Sequence, residues 1–308
     1  MIRDRASVRP ATLHPEDRDA WPLDAALRFA EAETRRHSST FSLGARVFGP
    51  EKRRAVSAVY AACRAGDDAV DEATDVADAT ERLEAWWAGI ERAYAGRPDP
   101  GHPTEVALAW VVDRWDVPRD AFYELRLGFE SDLRFVCVAD TDELMTYARR
   151  VAGVVGLMIA PITGYDGGDA TLDAAVAMGE AMQITNVLRD VGEDLHRGRC
   201  YLPVDRMAVH GVDQAQLRRG DVDAGYVALL EEFADLAEAK YRQGWWGIPK
   251  LHGLAGVAVG VAAMNYEAIL TKLRANRYDN LSRRAHLKTP ERLAILPRAA
   301  WAVATARR

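Results

Sequence analysis

The chain has 308 residues, 49% hydrophobic and 28% charged, enough apolar surface to offset the entropy of ordering and to exclude a disordered chain. Forty Lys and Arg against 46 Asp and Glu give a net charge of -6, so no global basic field points to nucleic acid. Three cysteines are too few and too dispersed for a disulfide framework or a zinc cluster, and they fit a reducing compartment. Residues 1–20 carry positive charges without the apolar run of a signal peptide, and are expected to be a mobile terminal segment. The longest charge-free stretches, 151–165 and 253–266, fall short of the roughly 18–20 residues needed to span a bilayer.

Helical periodicity dominates and strand alternation is nearly absent. In chain order, Pro50 opens a helix running through Tyr60. Leu83, Trp86, Ile90 and Tyr94 recur at i, i+3, i+7 and i+11, one apolar stripe of a helix with Asp78 as its N-cap and Gly96 as its stop. Pro118 opens a helix to about Phe135. Thr141 caps one extending through the small-residue run 151–163, and Thr171 one reaching about His196. A long pattern over 222–246 ends at Gly247-Ile248-Pro249. A further helix is expected over 250–278, and Thr289-Pro290-Glu291 opens a last one, kinked or ended near Pro297. The intervening breaks are local, so residues 21–308 read as a single all-α domain.

Two segments carry chemistry. In the first, Tyr60, Arg64, Asp67 and Asp71 fall within a stripe roughly 60° wide on one helix. Asp67 and Asp71 are like charges four residues apart, which costs an isolated helix roughly 0.2–0.5 kcal/mol, and Asp68 and Glu72 repeat the pattern. In the second, Gln183, Asn186, Asp190 and Asp194 share a stripe roughly 80° wide on a helix whose other faces are apolar. Either patch alone reads better as a solvated helix face. Together they suit a site for Mg²⁺, which prefers oxygen ligands and is held by a few carboxylates plus substrate phosphate.

The run from Met178-Gly179 through Gln183, Asn186 and Arg189-Asp190-Val191-Gly192-Glu193-Asp194 to Arg197-Gly198-Arg199-Cys200-Tyr201-Leu202-Pro203 closely resembles the long motif of phytoene and squalene synthases. Further features of that family stand in the expected order: His37-Ser38-Ser39-Thr40-Phe41, the acidic 60–72 segment, Tyr147 with Val151-Ala152-Gly153-Val154-Val155-Gly156, and Tyr266 with Tyr278-Asp279 and Arg283-Arg284. The resemblance covers about residues 25–300 and is strongest to the bacterial phytoene synthases. Departures such as Thr40, Ala62, Val187 and Cys200 spare the proposed ligands.

The resemblance implies an all-α isoprenoid-synthase-type helical bundle around a central cavity. It implies a prenyltransferase that joins two prenyl diphosphates head to head through a cyclopropyl intermediate, with phytoene as product. Asp67, Asp71, Asp190 and Asp194, with Asn186, are then the metal ligands for Mg²⁺, with Mn²⁺ as a substitute. NADPH, which squalene synthases consume, is not expected. Arg64, Arg189 and Arg283 become diphosphate clamps, because guanidinium forks match phosphate oxygens; structural ion pairs are the alternative. Ser38 and Gln183 become ligands of phosphate or metal-bound water, Ser38 being equally placed to cap a helix.

Phe41, Tyr60, Tyr147 and Tyr266 become cavity aromatics that face carbocations, Tyr147 among the catalytic groups, although each could be an ordinary core residue. The Gly- and Ala-rich runs at 151–159 and 253–263 suit close helix packing, an apolar tunnel for prenyl chains, or both. Farnesyl-using squalene and dehydrosqualene synthases share this chemistry and form the runner-up; a non-catalytic lipid-binding relative would have lost acidic ligands that are all retained here. The expected location is cytoplasmic, with peripheral contact to the inner face of the cell membrane from the substrate chemistry, though no anchor and no oligomeric state are legible.

Overall fold

The computed structural model describes residues 20–37, 48–133 and 137–307. The expected mobile segment at 1–20 therefore lies outside the described residues save for Ala20, as do Ser38, Phe41 and the end of the helix expected to reach Phe135.

Every regular element among the described residues is helical. The first half contains α1 (Leu23–His37), α2 (Pro50–Asp71), α3 (Val76–Tyr94), α4 (Pro103–Val112) and α5 (Arg119–Leu133). Next, α6 (Thr141–Ala148) and α7 (Val154–Thr163) are joined by a π-helical turn, Arg149–Gly153. The long α8 (Asp169–His196) leads through the short α9 (Val204–Val209) and α10 (Gln214–Arg219) to α11 (Ala224–Gly247). A 3₁₀ turn, Ile248–Lys250, then precedes α12 (Ala255–Ala275) and α13 (Thr289–Ala306).

Several boundaries differ from the sequence expectation. Asp75, not Asp78, caps α3: its extended backbone lets the carboxylate accept from the Ala77 and Asp78 amides at 2.9 Å. Asp78 turns back to Thr74 and Arg82. Asp140 likewise caps α6 through the Glu143 amide, leaving Thr141 as its first residue. Helix α8 begins two residues before Thr171, whose hydroxyl donates to the Asp166 carbonyl at 2.6 Å instead of capping. After the 3₁₀ turn Leu251 is extended and pairs with Tyr165 in a single β-bridge, and residues 253–254 form a turn, so α12 starts later than expected. Helix α13 runs through Pro297 without ending.

Two apolar cores form. One gathers α1–α5 and α7 around Val59, Leu108, Phe122 and Met158; the other gathers α8, α11 and α12 around Ile184, Leu188, Phe233 and Leu270. Their contact is tightest where α8 crosses the π turn and α7. A Cβ on Gly179 would lie 2.4 Å from the Ala152 carbonyl oxygen, and one on Gly156 would lie 2.6 Å from that of Ala175. Only glycine permits backbones this close, and the cavity opens beside this contact. No described helix is long and apolar enough to cross a membrane.

Candidate active site

Helices α2 and α8 form two walls of a cavity of about 480 Å³. Along α2, Val56, Tyr60, Arg64 and Asp67 face it in turn; along α8, Thr171, Ala175, Gly179, Gln183 and Asn186 do so. Both helices pass from apolar to polar residues in the same chain direction. At 1.5 Å rise per residue, Thr171 and Asn186 are about 22 Å apart along the axis, so the cavity is a deep slot with one polar end. Val151, Val155, Gly156 and Ile159 supply a third wall, and Ile248, Leu251, Val259 and Tyr266 a fourth.

The polar end coincides with the C-terminal turns of α2 and α8, where the helix dipoles are negative. Asp71 and Asp190 stand one turn beyond Asp67 and Asn186, and Asp194 one turn further. Carboxylates at negative helix ends require cations, and arginines supply them. Arg64 Nη1 lies 2.6 Å from Asp67 Oδ2, and the same guanidinium reaches Asp68. Arg199 and Arg197 hold Asp71 at 2.9 and 3.3 Å. Asp190 is gripped bidentately by Arg189, at 2.7 and 2.5 Å, and by Arg284, at 2.8 and 3.1 Å.

Compensation is incomplete. Burial, and then the Asp71 charge, push Asp67 up to about 6. Burial, and then Asp190, push Asp194 up to about 7. Both sites therefore attract further positive charge. Among the described residues no three Asp, Glu, His or Cys side chains gather at metal-ligand spacing, but the donor chemistry suits a hard divalent cation. Asn186 donates through Nδ2 to Gln183 Oε1 at 3.2 Å, leaving its buried Oδ1 with no hydrogen-bond partner at the cavity wall. A buried carbonyl oxygen without a donor costs about 1–3 kcal/mol, a cost that a bound cation removes.

Beside this end lies a cluster whose centre, Asp132, has no counterpart in the sequence reading, although its partner Tyr147 does. Asp132 of α5 lines the cavity and accepts from Tyr201 at 2.9 Å and Tyr147 at 3.3 Å. The two tyrosine rings stack with centroids 4.8 Å apart. Burial raises Asp132 to about 6 against the opposing pull of Arg199 and both hydroxyls. Arg199 thus serves Asp71 directly and lies in the field of Asp132 and Asp194.

Tyr60, Arg64, Asp67, Tyr147, Gln183, Asn186 and Tyr266 all line the cavity, whereas Asp71, Arg189, Asp190 and Asp194 are not among its lining residues and lie further along the same two helices, beyond Asp67 and Asn186. Arg283 does not join them. It is 69% exposed and paired with Asp279 at 2.8 Å, because Asp279 closes the turn by accepting from Ser282 and Arg283 together. Its neighbour Arg284 takes the position on Asp190. Delivery of Arg284 depends on a chain reversal with Arg277 and Tyr278 at φ 56° and 58°, strained for residues other than glycine. Buried Asn280 pins that reversal, donating to the Leu188 carbonyl of α8 and accepting from Tyr226, both at 2.5 Å.

Residues 34–291 match the squalene/phytoene synthase family model. The chain is 48% identical to the phytoene synthase of Thermus thermophilus over 290 residues, covering 94% of each chain. It is 32% identical to the 15-cis-phytoene synthase of Synechocystis, over 93% of this chain and 88% of that one. Among solved structures, a dehydrosqualene synthase in complex with ligand superposes with a TM-score of 0.84 at 28% identity, over 92% of this chain and 98% of that one. Matched by the family model over residues 34–291 and by these relatives over nearly its whole length, this chain belongs to the squalene/phytoene synthase family.

Proposed function

We propose that this protein condenses two molecules of geranylgeranyl diphosphate head to head, through cyclopropyl prephytoene diphosphate, to phytoene, a step of carotenoid biosynthesis. The observation that carries this reading is the division of one deep slot into a carboxylate- and arginine-rich end and a long apolar end. The first suits a diphosphate, the second a prenyl chain. The 48% identity to a bacterial phytoene synthase over nearly the full length supports the C20 substrate.

The family implies a divalent-metal-dependent enzyme acting on prenyl diphosphates. Mg²⁺ is the proposed metal, with Mn²⁺ as a substitute; Asp67, Asp71, Asp190, Asp194 and the free Oδ1 of Asn186 would hold it. When bound it supplies positive charge against the charge that collects on a departing diphosphate. The chain's own contribution is threefold. Arg64, Arg189, Arg199 and Arg284 already stand on the carboxylates and present guanidinium forks to a diphosphate entering between them. Asp132 fixes the Tyr147 and Tyr201 hydroxyls, so they need not reorganise when charge develops beside them. The apolar walls exclude water, which would capture an allylic cation and end the reaction as an alcohol. One substrate loses its diphosphate and is attacked by the double bond of the other, with loss of a proton, to give the cyclopropyl diphosphate. That intermediate loses the second diphosphate, and the rearranged cation loses a second proton to become the hydrocarbon.

A C15 reading has one observation in its favour, the likeness to a dehydrosqualene synthase structure. One assay separates the two. Purified protein is given geranylgeranyl or farnesyl diphosphate with Mg²⁺, with and without NADPH, and the hydrocarbons are identified by mass spectrometry. Phytoene from the C20 substrate without NADPH is expected. Preference for farnesyl diphosphate, or a strict NADPH requirement, overturns the assignment.

A further inference from the structure

The apolar end of the slot is closed by a thin piece of chain. Thr163, the last residue of α7, and Thr171, in the first turn of α8, both line the cavity there and are buried. Residues 164–168 join them, facing the corner at Ile248 and Leu251, which also line the cavity. Strap and corner meet in one antiparallel bridge, Tyr165 with Leu251. The Asp166 amide donates to the Lys250 carbonyl at 3.0 Å, and the His252 amide to that of Gly164 at 2.9 Å. One side-chain contact adds to these, His252 Nε2 to Asp166 Oδ1 at 3.1 Å, and those side chains are 51% and 81% exposed. Gly167 and Gly168 are exposed as well. Here the slot and the solvent are one thickness of chain apart.

The two sides of this closure are fixed, and the piece between them is hinged. Lys52 Nζ donates to the Thr163 carbonyl at 2.6 Å, holding the end of α7. Arg307 donates to the Pro249 and Leu251 carbonyls at 3.1 and 2.5 Å, holding the corner. The strap begins at Gly164 and ends at Gly168, with φ 76° and 57°. Residues with a Cβ are strained there, whereas glycine passes between positive and negative φ freely. Moving segments turn on a few such positions at the ends of elements. The Thr171 hydroxyl donates to the Asp166 carbonyl at 2.6 Å, so the strap keeps its tie to α8 when its bridge to 250–252 parts.

On the reading of the slot as a condensation site, on which this inference rests, a hydrocarbon twice as long as either substrate chain must leave, with no charged group left on it. At the polar end it would pass Arg197 and Arg199 on Asp71 and Arg284 on Asp190, ion pairs that join separate elements. Charge-assisted bonds of that kind are roughly twice as strong as neutral ones, and an apolar chain offers nothing in exchange for them. At the apolar end only two neutral main-chain bonds and one exposed imidazole–carboxylate contact stand in the way. We propose that the 164–168 strap is a product gate: its bridge to 250–252 parts to release the hydrocarbon from the apolar end of the slot, and closes again to keep water out during the reaction.

The bridge itself supplies the test. Its two bonds flank Tyr165 and Leu251, which makes them a non-hydrogen-bonded pair, with Cα atoms roughly 4.5 Å apart, within the span of a disulfide. The double variant Tyr165→Cys/Leu251→Cys, oxidised with diamide, locks the strap to the corner, and dithiothreitol unlocks it. Oxidised and reduced forms are compared on whichever of geranylgeranyl and farnesyl diphosphate the parent converts. The parent, which has three cysteines of its own, is oxidised alongside as the reference. The oxidised variant is expected to make about one hydrocarbon per chain in a first turnover and then to slow about tenfold or more, with reduction restoring the rate. A steady-state rate that falls no further than the parent's overturns the gate. So does loss of the first turnover, which would assign the strap to filling the slot instead of emptying it. A parent that makes no hydrocarbon from either substrate overturns the condensation reading itself, a result distinct from both. Hydrogen exchange on the parent tests the opening without any variant: the Asp166 and His252 amides should exchange about a hundredfold or more faster than those of Ile184 and Leu188 in the buried part of α8. Equal protection overturns the gate whether or not the double variant folds.

Discussion

Arg199 Nη1 lies 2.9 Å from Asp71 Oδ1, tying the loop after α8 to the last turn of α2 across 128 residues of sequence. The contact couples the two acidic helix ends that neither helix could hold alone, since each aggregates carboxylates at the negative end of its own dipole. Arg199 also faces Asp132 and Asp194 electrostatically. It is the common cation of three acidic groups drawn from α2, α5 and α8.

Removing it should therefore damage catalysis more than folding. Arg199→Ala is expected to lower kcat about a hundredfold, the usual scale for losing one preorganised charge at a site of developing negative charge. Arg199→Lys keeps the charge but loses the planar fork, and should recover part of the loss. Steady-state turnover with geranylgeranyl diphosphate measures both. A lysine variant no better than alanine would show that the fork, not the charge, carries the effect; undiminished turnover in alanine would remove Arg199 from the site altogether.

The aspartates themselves are tested by metal titration. Asp67→Asn and Asp190→Asn each remove a charge while keeping the shape of the side chain. Each should raise the Mg²⁺ concentration needed for half-maximal activity and lower kcat at saturation, by about two orders of magnitude. Asp279→Asn, which acts only on the turn holding Arg283, should leave the Mg²⁺ dependence unchanged. Turnover at the parent level in Asp67→Asn or Asp190→Asn would sink the ligand assignment.

What the sequence made legible, and what it hid, follows from the range of the interactions. The two acidic stripes are visible because they are helical, and the 3.6-residue period places Asp67 beside Asp71 and Asn186 beside Asp190 without knowledge of the rest of the fold. Helix α1 escaped notice because its buried side is Ala26, Leu27, Ala30 and Thr34, too weak a contrast for periodicity to register. Asp132 was hidden for another reason. Its meaning depends on Tyr147 and Tyr201, 15 and 69 residues away, and no local pattern relates them. The exchange of Arg283 for Arg284 is a register question set by a left-handed turn at Arg277 and Tyr278, and hydrophobic spacing carries no information about such a turn.

The pH dependence of stability isolates Asp132. Its carboxyl is raised from 3.8 to about 6 in the folded chain, chiefly by burial. A raised carboxylate favours folding while both states are protonated, below about pH 4. That advantage is lost as pH rises through 6, where the folded state must carry a buried charge. Asp132→Asn removes this penalty, so the variant should gain on the parent between pH 4 and pH 7, by at most about 3 kcal/mol. Asp67 and Asp194 titrate in a neighbouring window but are present in both proteins, so the difference between the two melting curves reports Asp132. A difference that stays flat between pH 4 and 7 would contradict the raised value. Turnover should fall independently of stability, because an amide offers one acceptor where the carboxylate serves two hydroxyls.

The closeness of the helices at the cavity wall can be tested by a single methyl group. A Cβ at Gly179 would lie 2.4 Å from the Ala152 oxygen and 2.8 Å from the Gly153 Cα, both backbone atoms that no rotamer change can move. Gly179→Ala must therefore separate α8 from the π turn, at a cost of about 1–3 kcal/mol typical of an overpacked core. A melting point lower by about 2–4 °C per kcal/mol is expected for a chain of this size, read by circular dichroism or calorimetry. Gly49→Ala is the control: it has an ordinary φ of -58° and open space around its Cβ position, and its melting point should move little. The same separation shifts Val151, Ala152 and Gly156 against Ala175, all of which line the slot. Gly179→Ala should thus alter the KM for the prenyl substrate at temperatures well below its melting point. A variant that melts lower but keeps the parent's KM would show that this contact holds the fold without shaping the cavity.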